Sequence, residues 1–136
     1  MRLVVDTNVL MSGLLSPFGP PGVIVNLIAA GQVRLCYDTR IFAEYADVLG
    51  RPAFPFAEAQ VTALLSEITA TGELTGAIPL AAQLPDPTDA PFLEVAIAAS
   101  AKYLVTGNTK HFPPAHRYGT RVVTPRELLE RGFRSD

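Results

Sequence analysis

Short apolar runs that stop at a polar residue, with a helical pattern behind each, recur along this chain. Leu3-Val4-Val5 stops at Asp6, Val33-Arg34-Leu35-Cys36-Tyr37 stops at Asp38, and Tyr103-Leu104-Val105 runs into Thr106. Arg121-Val122-Val123 is a last such run, just ahead of Pro125. Apolar runs this short, without strict alternation, fit strands covered on both faces. Strands alternating with helices imply a parallel sheet sandwiched by those helices. The expected fold is therefore α/β, with three layers (α/β/α) around a central, mostly parallel sheet of about five strands.

Between the runs, the helical stretches are bounded by recognisable signals. Thr7 or Asn8 can cap a helix over 9–15, and Gly31 stops one over 23–30, after a turn-rich break at 17–22. Asp38 caps a helix over 40–49, which Gly50 and Pro52 end. After a break at Phe54-Pro55-Phe56, residues 57–70 carry Val61, Leu64, Leu65 and Ile68 on one stripe. A weaker strand is expected over 74–80, at an edge because of Gly76 and Pro79. Residues 84–88 form a loop, and Asp89 opens a helix to Ser100 with Pro91 in its first turn. Residues 108–118 form another loop, and a helix follows over 125–130. Met11 and Leu14-Leu15 read as core.

At 136 residues, of which 49% are hydrophobic and 18% charged, the chain suits one domain with a sizeable core. The lone Cys36 excludes a disulfide framework and a CxxC metal or redox pair, and fits a cytoplasmic setting. No apolar stretch approaches membrane-spanning length, and Asp6 and Asn8 interrupt the only faintly leader-like start. The net charge of −2 excludes a basic nucleic-acid coat protein. It hides an asymmetry: residues 41–100 hold eight acids and one base, Arg51, whereas 101–136 hold seven bases and three acids. Solvated helix faces account for this. So does an acidic pocket with a basic rim, which suits a metal site acting on a polyanion.

Parallel sheets bind ligands beyond the carboxyl ends of their strands, where the strand order reverses. Asp6 and Asn8 end the first strand, Thr106 and Asn108 end the fourth, Asp89 opens the helix feeding the fourth, and Glu44 lies on the helix after the second. If the first and fourth strands are neighbours, Asp6, Asp89 and Asn108 converge. Crowded carboxylates either rise in pKa or demand a cation, and Mg²⁺ or Mn²⁺ suits carboxylate, amide and water oxygens. Each residue has a plainer reading: Asp6 and Asp89 as helix caps, Glu44 as a surface acid, Asn108 as a turn residue. Their shared mapping to one sheet edge favours the site.

Four stretches in order resemble the PIN-domain ribonucleases: Val4-Val5-Asp6-Thr7-Asn8-Val9-Leu10; Glu44-Tyr45 with Val48-Leu49 and Arg51-Pro52; Asp86-Pro87-Thr88-Asp89 with Phe92-Leu93; and Tyr103-Leu104-Val105-Thr106-Gly107-Asn108 with Lys110-His111-Phe112. The likeness is greatest to the prokaryotic subfamily described as toxins of toxin–antitoxin modules, and it spans about 2–128 of a single domain with a short C-terminal tail. It implies a metal-dependent endoribonuclease with Asp6, Glu44 and Asp89 as three family acids. Asn108 stands where many members have Asp, so one charge is missing and weaker metal binding is expected. Asn8 and Thr106 match the surrounding polar residues. Asp86 is an outer acid or a competitor of Asp89, which is preferred because it starts the helix. An RNA substrate, an antitoxin protein and a homodimer are the implied partners, with no membrane.

On this reading Asp6 and Asp89 hold the ion directly, and Glu44 and Asn108 hold it directly or through water. Water activated there attacks phosphorus in line. By resemblance, the products carry a 3′-hydroxyl and a 5′-phosphate. Lys110, Arg51 and Lys102 are candidates for neighbouring phosphates, and Phe112 or Tyr45 for stacking on a base, against core packing. His111 and His116 are expected in loop structure or at the surface. No HExxH motif or nucleophilic triad is present. An aspartyl phosphohydrolase needs an acid at position 8, where Asn8 stands, and a receiver domain has no place for Glu44. A degenerate PIN domain that binds RNA or protein without cutting is the main alternative.

Overall fold

Strand β1 (Arg2–Val5) is buried along Leu3, Val4 and Val5 because it has a parallel neighbour on each side. Those neighbours are β2 (Arg34–Tyr37) and β4 (Tyr103–Val105). The computed structural model describes residues 1–80 and 83–132, so Arg134 and the end of the expected C-terminal tail lie outside the described residues. Two short parallel strands, β3 (Glu73–Leu74) and β5 (Val122–Val123), complete a five-stranded sheet in the order β3-β2-β1-β4-β5. Leu3 is in register with Leu35 on one side and Tyr103 on the other, and Val5 with Val105. The chain winds outward from β1 to β3, then returns to the other side of β1. The first and fourth strands are thus neighbours, and the strand order reverses between them.

Six helices flank this sheet among the described residues: α1 (Thr7–Leu15), α2 (Pro20–Ala29), α3 (Thr39–Leu49), α4 (Glu58–Thr71), α5 (Ala90–Ala98) and α6 (Pro125–Arg131). The architecture is the expected three-layer α/β/α fold. Tyr45, Phe92 and Phe112 are the bulkiest of the fully buried side chains in its core. No single helix is long and apolar enough to cross a membrane.

Local departures from the expected elements have local causes. Helix α2 starts at Pro20 rather than Val23, since prolines in a first turn lack only N–H groups that would have no partner there. Its Gly22 touches the Pro17 backbone so closely that a Cβ would fall 2.1 Å from the Pro17 oxygen. The third strand is two residues long and not seven. The Thr75 N–H reaches Tyr37 O at 2.8 Å, and pairing stops before Gly76 and Pro79. Helix α5 stops at Ala98, and Ser100 turns the chain at φ +50°. Asp38 caps α3 as expected, accepting from Ile41 N at 2.9 Å. The cap position of α1 is Asp6, not Thr7 or Asn8, and its side chain makes no capping bond. Leu15, expected in the core, is half exposed.

Candidate active site

The carboxyl ends of β1, β4 and β5 are stitched together one residue past β1 and β4. The Asp6 N–H donates to Val105 O of β4 at 2.8 Å, and the Thr106 N–H to Val123 O of β5 at 2.9 Å. The Asp6 carboxylate therefore sits in the crevice where the strand order reverses, only 6% exposed. Thr106 Oγ1 donates to Asp6 Oδ2 at 2.8 Å and accepts the Asn108 N–H at 3.1 Å. Asn8 adds a parallel stitch, its Oδ1 accepting from Gly107 N at 3.2 Å.

Glu44 reaches this edge from α3. The Thr7 hydroxyl donates to Glu44 Oε2. The next residue, Tyr45, is wholly buried and donates its hydroxyl to Val5 O at 2.5 Å, pinning α3 to the end of β1. Asp89 arrives from the other direction. It closes a 3₁₀ turn (Pro87–Asp89) directly before α5 and is 8% exposed. Asp86 builds that turn: its Oδ1 accepts from Thr88 N at 3.0 Å and Thr88 Oγ1 at 2.7 Å. These bonds hold the Asp86 carboxyl below its ordinary pKa. Asp86 is committed to its own turn, whereas Asp89 Oδ2 is buried without an aligned hydrogen bond.

The acids act on one another. Burial pushes Asp6 up, the Thr106 hydrogen bond offsets part of this, and the Glu44 charge adds to it. Burial and then the Asp6 charge push Asp89 up to about 6, against the pull of His111. Buried carboxylates crowded at the switch point of a parallel sheet, where Glu44 raises Asp6 and Asp6 raises Asp89, are an arrangement that favours a bound cation.

The PIN-domain family model matches residues 2–110. This chain belongs to the PIN-domain family. PIN domains are typically nucleases that act on nucleic acid and generally use divalent metal ions. A search of curated proteins returned no match.

Within this PIN domain the oxygen-only donor set of Asp6, Glu44, Asp89 and Asn108 suits a hard divalent cation. The side chains do not form a finished cage: among the described residues no three His, Cys, Asp or Glu side chains are grouped to hold an ion. Thr7 on α1 holds Glu44 of α3, and Thr106 past β4 holds Asp6 past β1, so each of these acids is fixed by a hydroxyl from another element. The Asn108 residue is exposed at the start of a 3₁₀ turn (Thr109–His111), with its backbone bound to Thr106.

The three expected phosphate contacts separate. Lys110 is exposed on the turn that follows Asn108. Arg51 lies beyond the end of α3, about two turns from Glu44, and pairs with Asp47 at 3.1 Å. Lys102 precedes β4, its N–H donating to Arg2 O at 2.8 Å, and so lies at the opposite edge of the sheet from Thr106. Phe112 and Tyr45 are fully buried, which supports core packing and leaves neither ring a face for a base. His111 lies partly exposed on the expected loop and has a contact that the sequence does not announce. Its Nδ1 stands 3.0 Å from Asp89 Oδ2. The signal was its spacing: three residues after Asn108 and next to a buried aromatic, so that one tight turn carries the ring back to the strand ends.

Proposed function

We propose that this PIN domain is a metal-dependent endoribonuclease that hydrolyses phosphodiester bonds of single-stranded RNA, and that it serves as the toxin of a toxin–antitoxin pair in the cytoplasm. The crowding of two buried carboxylates at the β1/β4 crevice, Asp6 past the end of β1 and Asp89 ahead of α5, carries this reading, with the Asp6 charge helping to push Asp89 up to about 6. Asp6 and Asp89 would hold Mg²⁺ or Mn²⁺ directly, with Glu44 and Asn108 as direct or water-bridged donors. When bound, such an ion supplies positive charge that activates water and offsets the leaving oxygen.

The chain's own residues do the rest. Thr106 keeps Asp6 Oδ2 occupied and so fixes how the carboxylate is turned. Thr7 sets the position of Glu44 on α3. Asn8 holds the Gly107 backbone, and with it the strand end from which Asn108 projects. Lys110, exposed beside that turn, meets a neighbouring phosphate without reading sequence.

Incubating the purified protein with a single-stranded RNA oligonucleotide in Mg²⁺ or Mn²⁺ tests the activity. Cutting that disappears in chelator and in Asp6→Asn is the expected outcome, and cutting that survives Asp6→Asn rejects the assignment. The uncharged Asn108 and the absence, among the described residues, of three acids grouped to hold an ion favour a second reading, an RNA- or protein-binding module without nuclease activity. Metal-independent RNA binding with no cleavage distinguishes it. The toxin role predicts growth arrest on expression, relieved by co-expressing the product of an adjacent gene.

A further inference from the structure

We infer that His111 is a positioning residue for Asp89, holding its buried carboxylate through Nδ1 so that the other oxygen stays aimed into the crevice. The inference rests on the metal-site reading above and deepens it. Position 111 lies one residue beyond the span matched by the family model.

Asp89 Oδ2 is buried and has no aligned hydrogen bond. His111 Nδ1 stands 3.0 Å away, within hydrogen-bonding distance but off its ideal alignment. Such contacts commonly tighten once a site is filled. The ring is not there by chance of a floppy loop. The His111 N–H donates to Asn108 O at 3.2 Å, closing the 3₁₀ turn. Phe112, fully buried, anchors the next position, and Arg117 Nε donates to Phe112 O at 2.7 Å. The imidazole is therefore carried on a short turn fixed at both ends, between the end of β4 and the core.

A carboxylate that ligates a metal needs its second oxygen restrained. Residues that restrain ligands from behind typically contribute 10- to 100-fold in metal affinity. Every other acid at this edge has such a restraint from a hydroxyl: Thr106 on Asp6 and Thr7 on Glu44. His111 supplies the equivalent for Asp89. The side chain is 41% exposed, so its replacement spares the core.

Geometry dictates the test. Asn places an N–H donor where Nδ1 of His stands, whereas Gln reaches to where Nε2 stands. Mn²⁺ binding by the intact chain, read from the free Mn²⁺ signal at pH 8, is compared among wild type, His111→Asn, His111→Gln and His111→Ala, with folding checked by circular dichroism. The expected result is roughly 10-fold or greater weakening in His111→Ala and His111→Gln, with His111→Asn close to wild type. Wild-type binding that persists unchanged in His111→Ala, or that is as weak in His111→Asn as in His111→Ala, overturns the positioning role and leaves the metal site standing. No Mn²⁺ binding by wild type overturns both.

Discussion

Thr106 and Asp6, a hundred residues apart, meet at 2.8 Å where two parallel strands end. The Thr106 hydroxyl accepts the Asn108 N–H, so its single proton is directed at Asp6 Oδ2. One side chain thus orients an acid and fixes the loop that follows β4. Thr106→Val removes that donor from a buried carboxylate at a cost of about 1–3 kcal/mol. RNA cleavage is expected to fall at least tenfold in Thr106→Val and to stay within a few-fold of wild type in Thr106→Ser, measured as initial rates at saturating metal.

Asp89 makes the metal-free protein less stable than it need be. Its pKa is raised from 3.8 to about 6, chiefly by burial and then by the charge on Asp6. An acid that is weaker when folded than when unfolded holds its proton longer in the folded state. Stability therefore falls as pH rises from about 4 to about 6, and levels off above. In chelator the wild-type protein is expected to melt at a higher temperature at pH 5 than at pH 7.5. Asp89→Asn removes part of that slope and stabilises the metal-free protein at pH 7.5 by about 1 kcal/mol, allowing for solvent screening, or roughly 4 °C. It abolishes cleavage as it does so. Thermal melts at the two pH values check both the sign and the size.

Tyr45 contributes stability rather than base stacking. Its hydroxyl donates to Val5 O at 2.5 Å inside the core, so Tyr45→Phe leaves a buried carbonyl without that donor. A loss of about 1–2 kcal/mol, or roughly 4–8 °C in melting temperature, is expected. The same shift in RNA affinity is not, and filter binding separates the two.

Asn108→Asp returns a negative charge to the crevice. Metal affinity is expected to rise about tenfold, and the stability of the metal-free protein at neutral pH to fall, because a further carboxylate joins a crevice where Glu44 already raises Asp6 and Asp6 raises Asp89. Calorimetric titration with Mn²⁺ reads the first effect, and melting in chelator the second.

The alternation of short apolar runs with helical patterns made the sheet and its flanking helices legible. Leu3-Val4-Val5 and Tyr103-Leu104-Val105 are buried on both faces, and only central strands of a covered sheet read that way. That Asp6, Glu44 and Asp89 come to one edge is legible because topology brings the ends of the parallel strands, and the helix starts beside them, to the same side of the sheet. The third strand is shorter than its sequence suggests because Leu74, Ile78 and Leu80 look strand-like, while Gly76 and Pro79 decide the pairing. Lys102 and Lys110 differ little as sequence, yet β4 separates them to opposite edges. The contact of His111 with Asp89 depends on how the 3₁₀ turn over Thr109–His111 folds back, which composition does not encode and only the spacing hints at. Phe112, so near the site in sequence, turns into the core on that same turn.

Mn²⁺ soaked into crystals of this PIN domain, with diffraction collected at the manganese absorption edge, tests the central claim most directly. The account predicts an anomalous peak bounded by the Asp6 and Asp89 carboxylates, lost in Asp6→Asn. A saturating soak that leaves no peak between those two side chains would contradict it.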